Sequence, residues 1–277
     1  MASTTQAPPL RLDDGVGIPQ LGFGVFQIPP EDTTETVGRA LETGYRHIDT
    51  AAAYRNERGV GEAVRACGLD RDDVFVTTKC WNDDQGHEQA TRALRASLER
   101  LGMDAVDLYL IHWPAPRRGL YVETWKAFVE AREQGLVRSI GVSNFLPEHL
   151  RRLIDETGVT PSVNQVELHP YLQQGELRQV HEELGIATEA WSPLAQGEVL
   201  DDPEIKRIAE AHGRTAGQVV LRWHLQLGNV VIPKSVTPRR IEENFDVFGF
   251  ELSREDMEAM SVLDRGHRTG PDPAAFG

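Results

Sequence analysis

The stretch from Val106 to Val142 begins with the apolar run Val-Asp-Leu-Tyr-Leu-Ile (106–111) and ends with Val-Arg-Ser-Ile-Gly-Val (137–142). Between the two runs, apolar side chains recur at helical spacing and predict one buried helix face, formed by Tyr121, Val122, Trp125, Phe128 and Val129. Gly135 ends that helical pattern. Continuous apolar runs are typical of parallel strands covered on both faces, so this stretch predicts a strand–helix–strand unit.

The same unit repeats along the chain and predicts a (β/α)₈ barrel, or TIM barrel. Eight runs carry the strand pattern: 22–25, 45–48, 74–78, 106–111, 137–142, 162–166, 186–190 and 230–232. The long interval before the last run leaves room for two helices. Ahead of the first run, Leu10–Leu12, a turn at Asp13-Asp14-Gly15 and Val16–Leu21 predict a β-hairpin that plugs the barrel bottom.

A doubly wound sheet is the alternative fold, but it usually has fewer repeats and a Gly-x-Gly-x-x-Gly turn. The nearest string, Gly22-Phe-Gly24, has no third glycine. No linker divides the chain, so we expect residues 1–277 to form a single TIM-barrel domain.

Composition excludes several classes of function. The 277 residues carry 29 Lys and Arg against 43 Asp and Glu, a net charge of −14, which argues against binding to nucleic acid or to an anionic membrane. The 2 cysteines form no disulfide framework, and there is neither a secretory signal nor an apolar run of membrane-spanning length. The sequence therefore predicts a soluble cytoplasmic protein.

Polar residues follow three consecutive predicted strands, where the active site of such a barrel lies. They are Asp49, Tyr54 in the loop beyond it, Lys79 and His112. A lysine beside a tyrosine lowers the pKa of the phenol, an aspartate keeps the lysine charged, and a histidine can orient a carbonyl group. This set suits protonation of a carbonyl oxygen when hydride reaches the carbon. No metal-binding motif such as His-Glu-x-x-His is present.

A second cluster follows the last predicted strand and points to a phosphate group. Thr237 and Pro238 are expected at the start of a helix, with Lys234, Ser235 and Arg240 around it. A helix N-terminus among basic residues is an anion site, and phosphates often bind after strands 7 and 8 of this fold. Trp191, at the end of the seventh strand, could stack on a flat ring.

In these residues the chain resembles the aldo-keto reductases, and it is most similar to the short bacterial branch that includes 2,5-diketo-D-gluconate reductase. The matching strings are in family order and span most of the chain: Gly44-Tyr-Arg-His-Ile-Asp49-Thr-Ala-Ala-Ala-Tyr54, Asp107-Leu-Tyr-Leu-Ile-His112-Trp113-Pro, Gly141-Val-Ser143-Asn144-Phe, Asn164-Gln165-Val-Glu-Leu-His-Pro170 and Ile232-Pro-Lys234-Ser235.

The resemblance implies a monomeric enzyme that reduces a small-molecule carbonyl substrate with NADPH. It implies that Tyr54 donates the proton, that Lys79 and Asp49 support it, and that His112 orients the substrate. The implied substrate residues are Phe26, Tyr54, Trp81, His112 and Trp113. The implied cofactor residues are Gly24, Val25, Asp49, Ser143, Asn144, Gln165, Trp191, Ser192, Pro193, Leu194, Gln196, Gly197, Lys234, Ser235, Val236, Arg240, Glu243 and Asn244.

The chain departs from the family pattern at several positions. Trp191 replaces the tyrosine of many members, Ser192 replaces a glycine of the diketogluconate branch, and Thr237 stands where that branch has a basic or amide residue. The loop Pro114–Leu120 and the tail Gly266–Gly277 are short, so we expect a more open and less selective site than in vertebrate members.

Two other functions fit part of the sequence. A phosphosugar lyase or isomerase would use Lys79 as a Schiff base and the strand-8 site for substrate phosphate. A regulatory subunit would bind the cofactor without turnover. For a reductase, diketogluconate, methylglyoxal, aromatic aldehydes and keto esters all remain open as substrates.

Overall fold

The computed structural model describes residues 9–277 and contains the predicted barrel. Eight parallel strands follow one another in chain order around the sheet: β3 (Phe23–Gly24), β4 (His47–Asp49), β5 (Phe75–Cys80), β6 (Val106–Ile111), β7 (Val137–Ser143), β8 (Val163–Glu167), β9 (Ala187–Trp191) and β10 (Val230–Val231). A parallel bridge between Leu21 and Val231 brings the last strand beside the first. The backbone N–H of Gly22 donates to the carbonyl of Val231 at 2.9 Å, which joins the two edges of the sheet.

The helices alternate with these strands, so the (β/α)₈ prediction is confirmed and the doubly wound alternative is wrong. They are α1 (Pro30–Thr43), α2 (Glu57–Ala66), α3 (His87–Leu101), α4 (Tyr121–Glu133), α5 (Pro147–Thr157), α6 (Gly175–Leu184), α7 (Pro203–His212), α8 (Ala216–Gln226), α9 (Pro238–Phe245) and α10 (Arg254–Ser261). Both α7 and α8 lie between β9 and β10, as the long interval predicted. None of the helices in residues 9–277 combines the length and the hydropathy needed to cross a bilayer.

Helix starts follow local capping chemistry. The Asp202 carboxylate accepts from the backbone N–H of Glu204 at the start of α7, and Thr215 and Ser253 form capping boxes at α8 and α10. Thr237 precedes α9 as predicted, but its side chain makes no capping bond. Its backbone N–H donates to Ser235 Oγ at 3.1 Å, so the serine fixes this turn.

The hairpin closes the barrel bottom, as predicted. Strands β1 (Leu10–Arg11) and β2 (Gly17–Ile18) pair antiparallel. Leu12 and Ile18 pack into an apolar cluster inside the barrel with strand residues that include Phe75, Leu108 and Val163. The carboxylate of Asp14 accepts hydrogen bonds from the hydroxyls of Ser139 at 2.6 Å and Ser162 at 2.7 Å, and these bonds hold the hairpin turn against two strands.

Candidate active site

The four predicted catalytic residues meet at the C-terminal end of the barrel. Asp49 ends β4, Lys79 lies in β5, and His112 directly follows β6. Lys79 Nζ donates to Asp49 Oδ1 at 2.6 Å and to the carbonyl of Thr50 at 2.9 Å. The same Nζ lies 5.2 Å from the centroid of the Tyr54 ring, and the His112 ring is 5.6 Å from that ring, centroid to centroid.

Tyr54 owes its position to a short 3₁₀ helix, Ala52–Tyr54, and to a buried amide that the sequence reasoning missed. Asn56 donates to the carbonyls of Val25 at 2.9 Å and Ile28 at 3.2 Å, and accepts from the hydroxyl of Thr50 at 2.8 Å. It therefore ties the Tyr54 turn to the β3–α1 loop and to the end of β4. The sequence signal for this role is weak: an asparagine two residues after Tyr54.

Burial and charge set the protonation states of the site. Burial lowers the pKa of Lys79, but Asp49 and Tyr54 raise it more, so the pKa is raised overall and the ammonium stays charged. Burial raises the pKa of Tyr54, and Lys79 lowers it by less, so the net pKa lies above its usual range. The expectation that Lys79 brings the pKa of Tyr54 below its ordinary value is therefore wrong. Burial removes water from the hydroxyl and raises its pKa by more than the charge of Lys79 lowers it.

His112 is an uncharged imidazole in this setting. Burial, and then the charge of Lys79, hold its pKa well below the usual range. Its Nδ1 has no hydrogen-bond partner among residues 9–277. A neutral ring suits it to orienting a polar group, and not to delivering a proton of its own.

Several of the implied cofactor residues form a hydrogen-bonded chain that ends at the buried Lys79–Asp49 pair. Trp191 Nε1 donates to Asn144 Oδ1 at 2.9 Å, and Asn144 Nδ2 donates to Ser143 Oγ at 3.0 Å. Ser143 Oγ donates to the carbonyl of Gln165 at 2.8 Å, and Gln165 Nε2 donates to Asp49 Oδ2 at 2.8 Å. These side chains are thus positioned together with Asp49.

Gly24 and Val25 lie at the seam where the barrel closes. The N–H of Gly24 donates to the carbonyl of Pro233 at 3.0 Å, and that of Val25 donates to the carbonyl of Asp49 at 3.1 Å. Both residues are buried. They connect the catalytic side of the mouth with the segment after β10.

The segment after β10 carries the predicted basic cluster. Lys234, Val236 and Arg240 are exposed, while Ser235 is buried. Neither Lys234 nor Arg240 has a carboxylate within ion-pair distance in the part of the chain that the structure describes, whereas Arg239 pairs with Glu243 at 2.7 Å. Lys234 and Arg240 thus place two unpaired positive charges beside the start of α9, in a protein of net charge −14. Such a group of charges at a helix N-terminus favours binding of an anion.

The segment after Trp191 turns repeatedly through the left-handed region. Positive φ angles occur at Ser192 (48°), Ala195 (47°), Gln196 (54°) and Gly197 (102°). Two further implied cofactor residues lie in this segment: Pro193 is buried and Leu194 is half-buried. Asn244 lies half-buried in α9. Consecutive turns of this kind can aim backbone N–H groups toward an anion.

Aromatic rings surround the Tyr54 and His112 side chains. Centroid distances are 5.1 Å from Phe26 to Tyr54, 5.0 Å from Trp81 to His112 and 6.5 Å from Trp113 to Trp191. Phe276, which the sequence reasoning missed, lies 4.5 Å from Trp113 and 6.3 Å from Trp81. These rings form an apolar wall with the polar groups of the site at its base.

The C-terminal tail reaches this wall because Glu167 holds it. The buried Glu167 carboxylate, at the end of β8, accepts from the backbone N–H and hydroxyl of Thr269, both at 2.6 Å, and from the N–H of Gly270 at 3.1 Å. A Cβ at Gly270 would collide with the Trp191 ring, so the tail passes flat against the indole. The tail is short, as noted from the sequence, and it lies against the rings of Trp191, Trp113 and Trp81.

The Glu167 anchor predicts a specific loss of stability in acid. Burial raises the pKa of Glu167, but hydrogen bonds from His169, Thr269 and Gly270 bring it down to about 2. Because the folded pKa is depressed, the stabilisation is present above the ordinary pKa of 4.5 and is lost as the pH falls from there toward 2. Glu167→Gln should therefore melt below wild type at neutral pH, and the gap should narrow through that interval. Thermal melts across this range measure it.

The exposed Glu176 of α6 provides the matched control. Glu176→Gln should change the melting temperature only slightly, because this exposed carboxylate in the first turn of α6 contributes at most about 1 kcal/mol through the helix dipole. A gap for Glu167→Gln that stayed constant from neutral pH into acid would contradict the assigned role of the carboxylate.

Comparison with known proteins decides the family. The model described as "Aldo/keto reductase family" matches residues 15–265. The chain belongs to this family. It is 60% identical over 270 residues to an aldo-keto reductase of Mycobacterium sp. (strain KMS), covering 98% of each chain, and 54% identical over 275 residues to the methylglyoxal reductase DkgA of Yersinia pestis, covering 99% of each. A crystal structure of the Gox0644 D53A mutant in complex with NADPH superposes with a TM-score of 0.95 at 51% identity, covering 99% of both chains.

As an aldo-keto reductase, the protein is an NADPH-dependent oxidoreductase that reduces carbonyl groups. The predicted family, fold, enzyme class and cofactor are thereby confirmed.

Proposed function

We propose that this aldo-keto reductase reduces small aldehydes and dicarbonyl compounds, with Tyr54 as the proton donor. The observation that carries the proposal is the Tyr54 ring above the buried Lys79–Asp49 pair and beside the neutral His112, at the floor of an aromatic mouth. The 54% identical relative from Yersinia pestis is a methylglyoxal reductase, which supports a compact dicarbonyl substrate.

The chain's own residues divide the work of proton transfer. The bound reduced nicotinamide supplies the hydride that reaches the carbonyl carbon. The Tyr54 hydroxyl gives its proton to the carbonyl oxygen as charge develops there, and the Lys79 ammonium stabilises the phenolate that remains. Asp49 holds that ammonium in place at 2.6 Å. The neutral imidazole of His112 donates a hydrogen bond to the carbonyl oxygen and orients it toward Tyr54.

The residues present fit the chemistry of NADPH. Ser143, Asn144 and Gln165 offer hydroxyl and amide groups suited to a carboxamide, and Trp191 offers an indole edge beside them. Ser192, Pro193, Leu194, Gln196 and Gly197 would cover the pyrophosphate. Lys234, Ser235, Val236 and Arg240 would take the 2′-phosphate, and Glu243 and Asn244 would lie near the adenine. Gly24, Val25 and Asp49 complete the set at the barrel seam.

The unpaired Arg240 predicts a preference for the phosphorylated cofactor. Arg240→Ala should raise the KM for NADPH by about tenfold or more and leave the KM for NADH nearly unchanged, since a charge-assisted hydrogen bond contributes about 1.5–3 kcal/mol. Steady-state kinetics with both cofactors measure the two values. The matched control is Arg239→Ala, which removes the same charge from a residue already paired with Glu243. Equal losses with NADPH and NADH would contradict the role of Arg240.

The substrate side of the proposal rests on the aromatic wall. Phe26, Trp81 and Trp113 leave an apolar mouth with Tyr54 and His112 as its polar floor, and Phe276 narrows it. Turnover should be measured as loss of NADPH absorbance with methylglyoxal, 2,5-diketo-D-gluconate, an aromatic aldehyde and a keto ester. We expect the small dicarbonyls to give the highest kcat/KM. No turnover with any of the four carbonyls, despite tight NADPH binding, would contradict the proposal.

The charge on Lys79 argues against the lyase alternative, because a Schiff base forms from a neutral amine. Its pKa is raised by Asp49, so the neutral form is scarce. We also propose that the chain forms a single domain, because one barrel takes in strands from β3 to β10 and helices as far as α10. Residues 1–8 of the predicted domain 1–277 lie outside the described residues. The cytoplasmic location and the monomeric state stay predictions from the sequence.

A further inference from the structure

A second carboxyl group lies inside the barrel near the Lys79–Asp49 pair, and the proposed mechanism does not use it. Glu189 stands in the middle of β9, and its backbone pairs with Gln165 of β8 and Val230 of β10. The residue is 0% exposed, and neither carboxyl oxygen has a hydrogen-bond partner among residues 9–277. Buried carboxylates are normally paired or fully hydrogen-bonded, so this one calls for an explanation.

The neighbouring His47 of β4 provides no positive charge. His47 Nε2 is 3.8 Å from Glu189 Oε1. Its Nδ1 lies 3.4 Å from the carbonyl of Pro19, which can only accept, so Nδ1 carries the proton of the neutral ring. Nε2 then accepts from the hydroxyl of Thr77 at 3.0 Å. Burial lowers the pKa of His47 to about 4, so the ring is uncharged at neutral pH.

The remaining charged groups that act on Glu189 belong to the proposed catalytic set. Lys79 of β5 is already engaged with Asp49 and with the carbonyl of Thr50. Asp49 of β4 is a like charge, and Gln165 donates one of its two amide N–H groups to Asp49. Burial, and then Asp49, raise the pKa of Glu189 to about 8, against smaller opposing effects of Lys79 and Gln165. Burial and the charge of Asp49 therefore favour the uncharged acid form of Glu189.

We propose that Glu189 sets the upper pH limit of proton transfer, because it stays neutral in the working enzyme and weakens Tyr54 as an acid when it ionises. The inference rests on the proposed role of Tyr54. A neutral Glu189 leaves one negative charge, Asp49, to balance one positive charge, Lys79. Ionisation of Glu189 adds a second negative charge, which raises the pKa of both Tyr54 and Lys79. Release of the Tyr54 proton to a carbonyl oxygen then becomes harder.

The first test measures stability and needs no turnover. An acid whose folded pKa is raised stays protonated in the folded state while it ionises in the unfolded chain. Wild type therefore loses stability as the pH rises from 4.5 to about 8, and Glu189→Gln, which mimics the neutral acid, does not. The melting temperature of Glu189→Gln minus that of wild type should grow across this interval and then level off. A constant difference would overturn the proposal.

The second test measures proton transfer. In single-turnover oxidation of bound NADPH by methylglyoxal, the wild-type rate should fall at least threefold as the pH rises through about 8. Glu189→Gln should retain the wild-type rate below that pH and lose this inflection. An inflection that persists unchanged in Glu189→Gln would overturn the proposal.

The matched control is Glu57→Gln, the same change at another buried carboxylate. Glu57 lies outside the barrel interior, in α2, and accepts from Thr78 and from Arg100, both at 2.6 Å. Its substitution should lower the melting temperature and leave the pH inflection in place. Failure of the Glu189 proposal can be distinguished from failure of the proposed function, because Tyr54→Phe tests the proton donor directly. Turnover lost in Tyr54→Phe with an inflection unaltered in Glu189→Gln would overturn only the role of Glu189.

Discussion

Tyr54→Phe is expected to lower the single-turnover rate of carbonyl reduction by at least ~10²-fold, the low end for a positioned general acid. The substitution removes one hydroxyl oxygen and keeps the ring, which packs against Phe26 at 5.1 Å and against His112 at 5.6 Å. The neutral His112 cannot take over as the acid. NADPH affinity should be unchanged, because Tyr54 belongs to none of the proposed cofactor contacts. Rapid mixing of the NADPH complex with methylglyoxal measures the rate.

Tyr109→Phe is the matched control for that experiment. Tyr109 is a buried tyrosine of β6 that belongs to neither the proposed catalytic set nor the proposed cofactor set. Loss of this hydroxyl should leave the rate within twofold of wild type. If Tyr54→Phe retained more than a tenth of the wild-type rate, another group would have to supply the proton.

Lys79→Met is expected to damage both activity and stability. The Lys79 side chain is fully buried, so its removal leaves the Asp49 carboxylate without its cation. Breaking a buried ion pair on one side typically costs about 3–5 kcal/mol of folding free energy. The rate of carbonyl reduction should fall at least ~10²-fold, because nothing then stabilises the Tyr54 phenolate. Denaturant unfolding and single-turnover kinetics measure the two effects.

The double variant Asp49→Asn, Lys79→Met separates these effects. It removes both charges, so most of the lost stability should return while the activity stays low. Recovery of activity together with stability would contradict the catalytic role of Lys79 and would leave it a purely structural one.

The strands and the proposed catalytic set were predictable because both are local patterns. Each barrel strand is a continuous apolar run, and the carboxyl ends of parallel strands converge, which places Asp49, Lys79 and His112 at one mouth. The two helices between β9 and β10 followed from the interval alone. The basic residues after β10 stood out against the acidic composition.

Other features depend on contacts between distant parts of the chain. Thr269 and Gly270 lie in a polar tail without periodicity, and nothing local shows that Glu167 binds them 102 residues away or more. The raised pKa of Tyr54 depends on how fully the ring is buried, which strand order alone does not give. Glu189 did leave a signal, as the one carboxylate inside the apolar run 186–190, but its lack of a partner is visible only in three dimensions.

The measurement that tests the central claim most directly is isotope transfer. The protein is mixed with methylglyoxal and NADPH carrying deuterium at nicotinamide C4 on one face or the other, and the product alcohol is analysed by mass spectrometry. We predict one deuterium on the former carbonyl carbon from one of the two labelled cofactors, and at least ~10²-fold slower incorporation with Tyr54→Phe. Tight NADPH binding without incorporation from either label would contradict the proposed reduction of small dicarbonyl compounds.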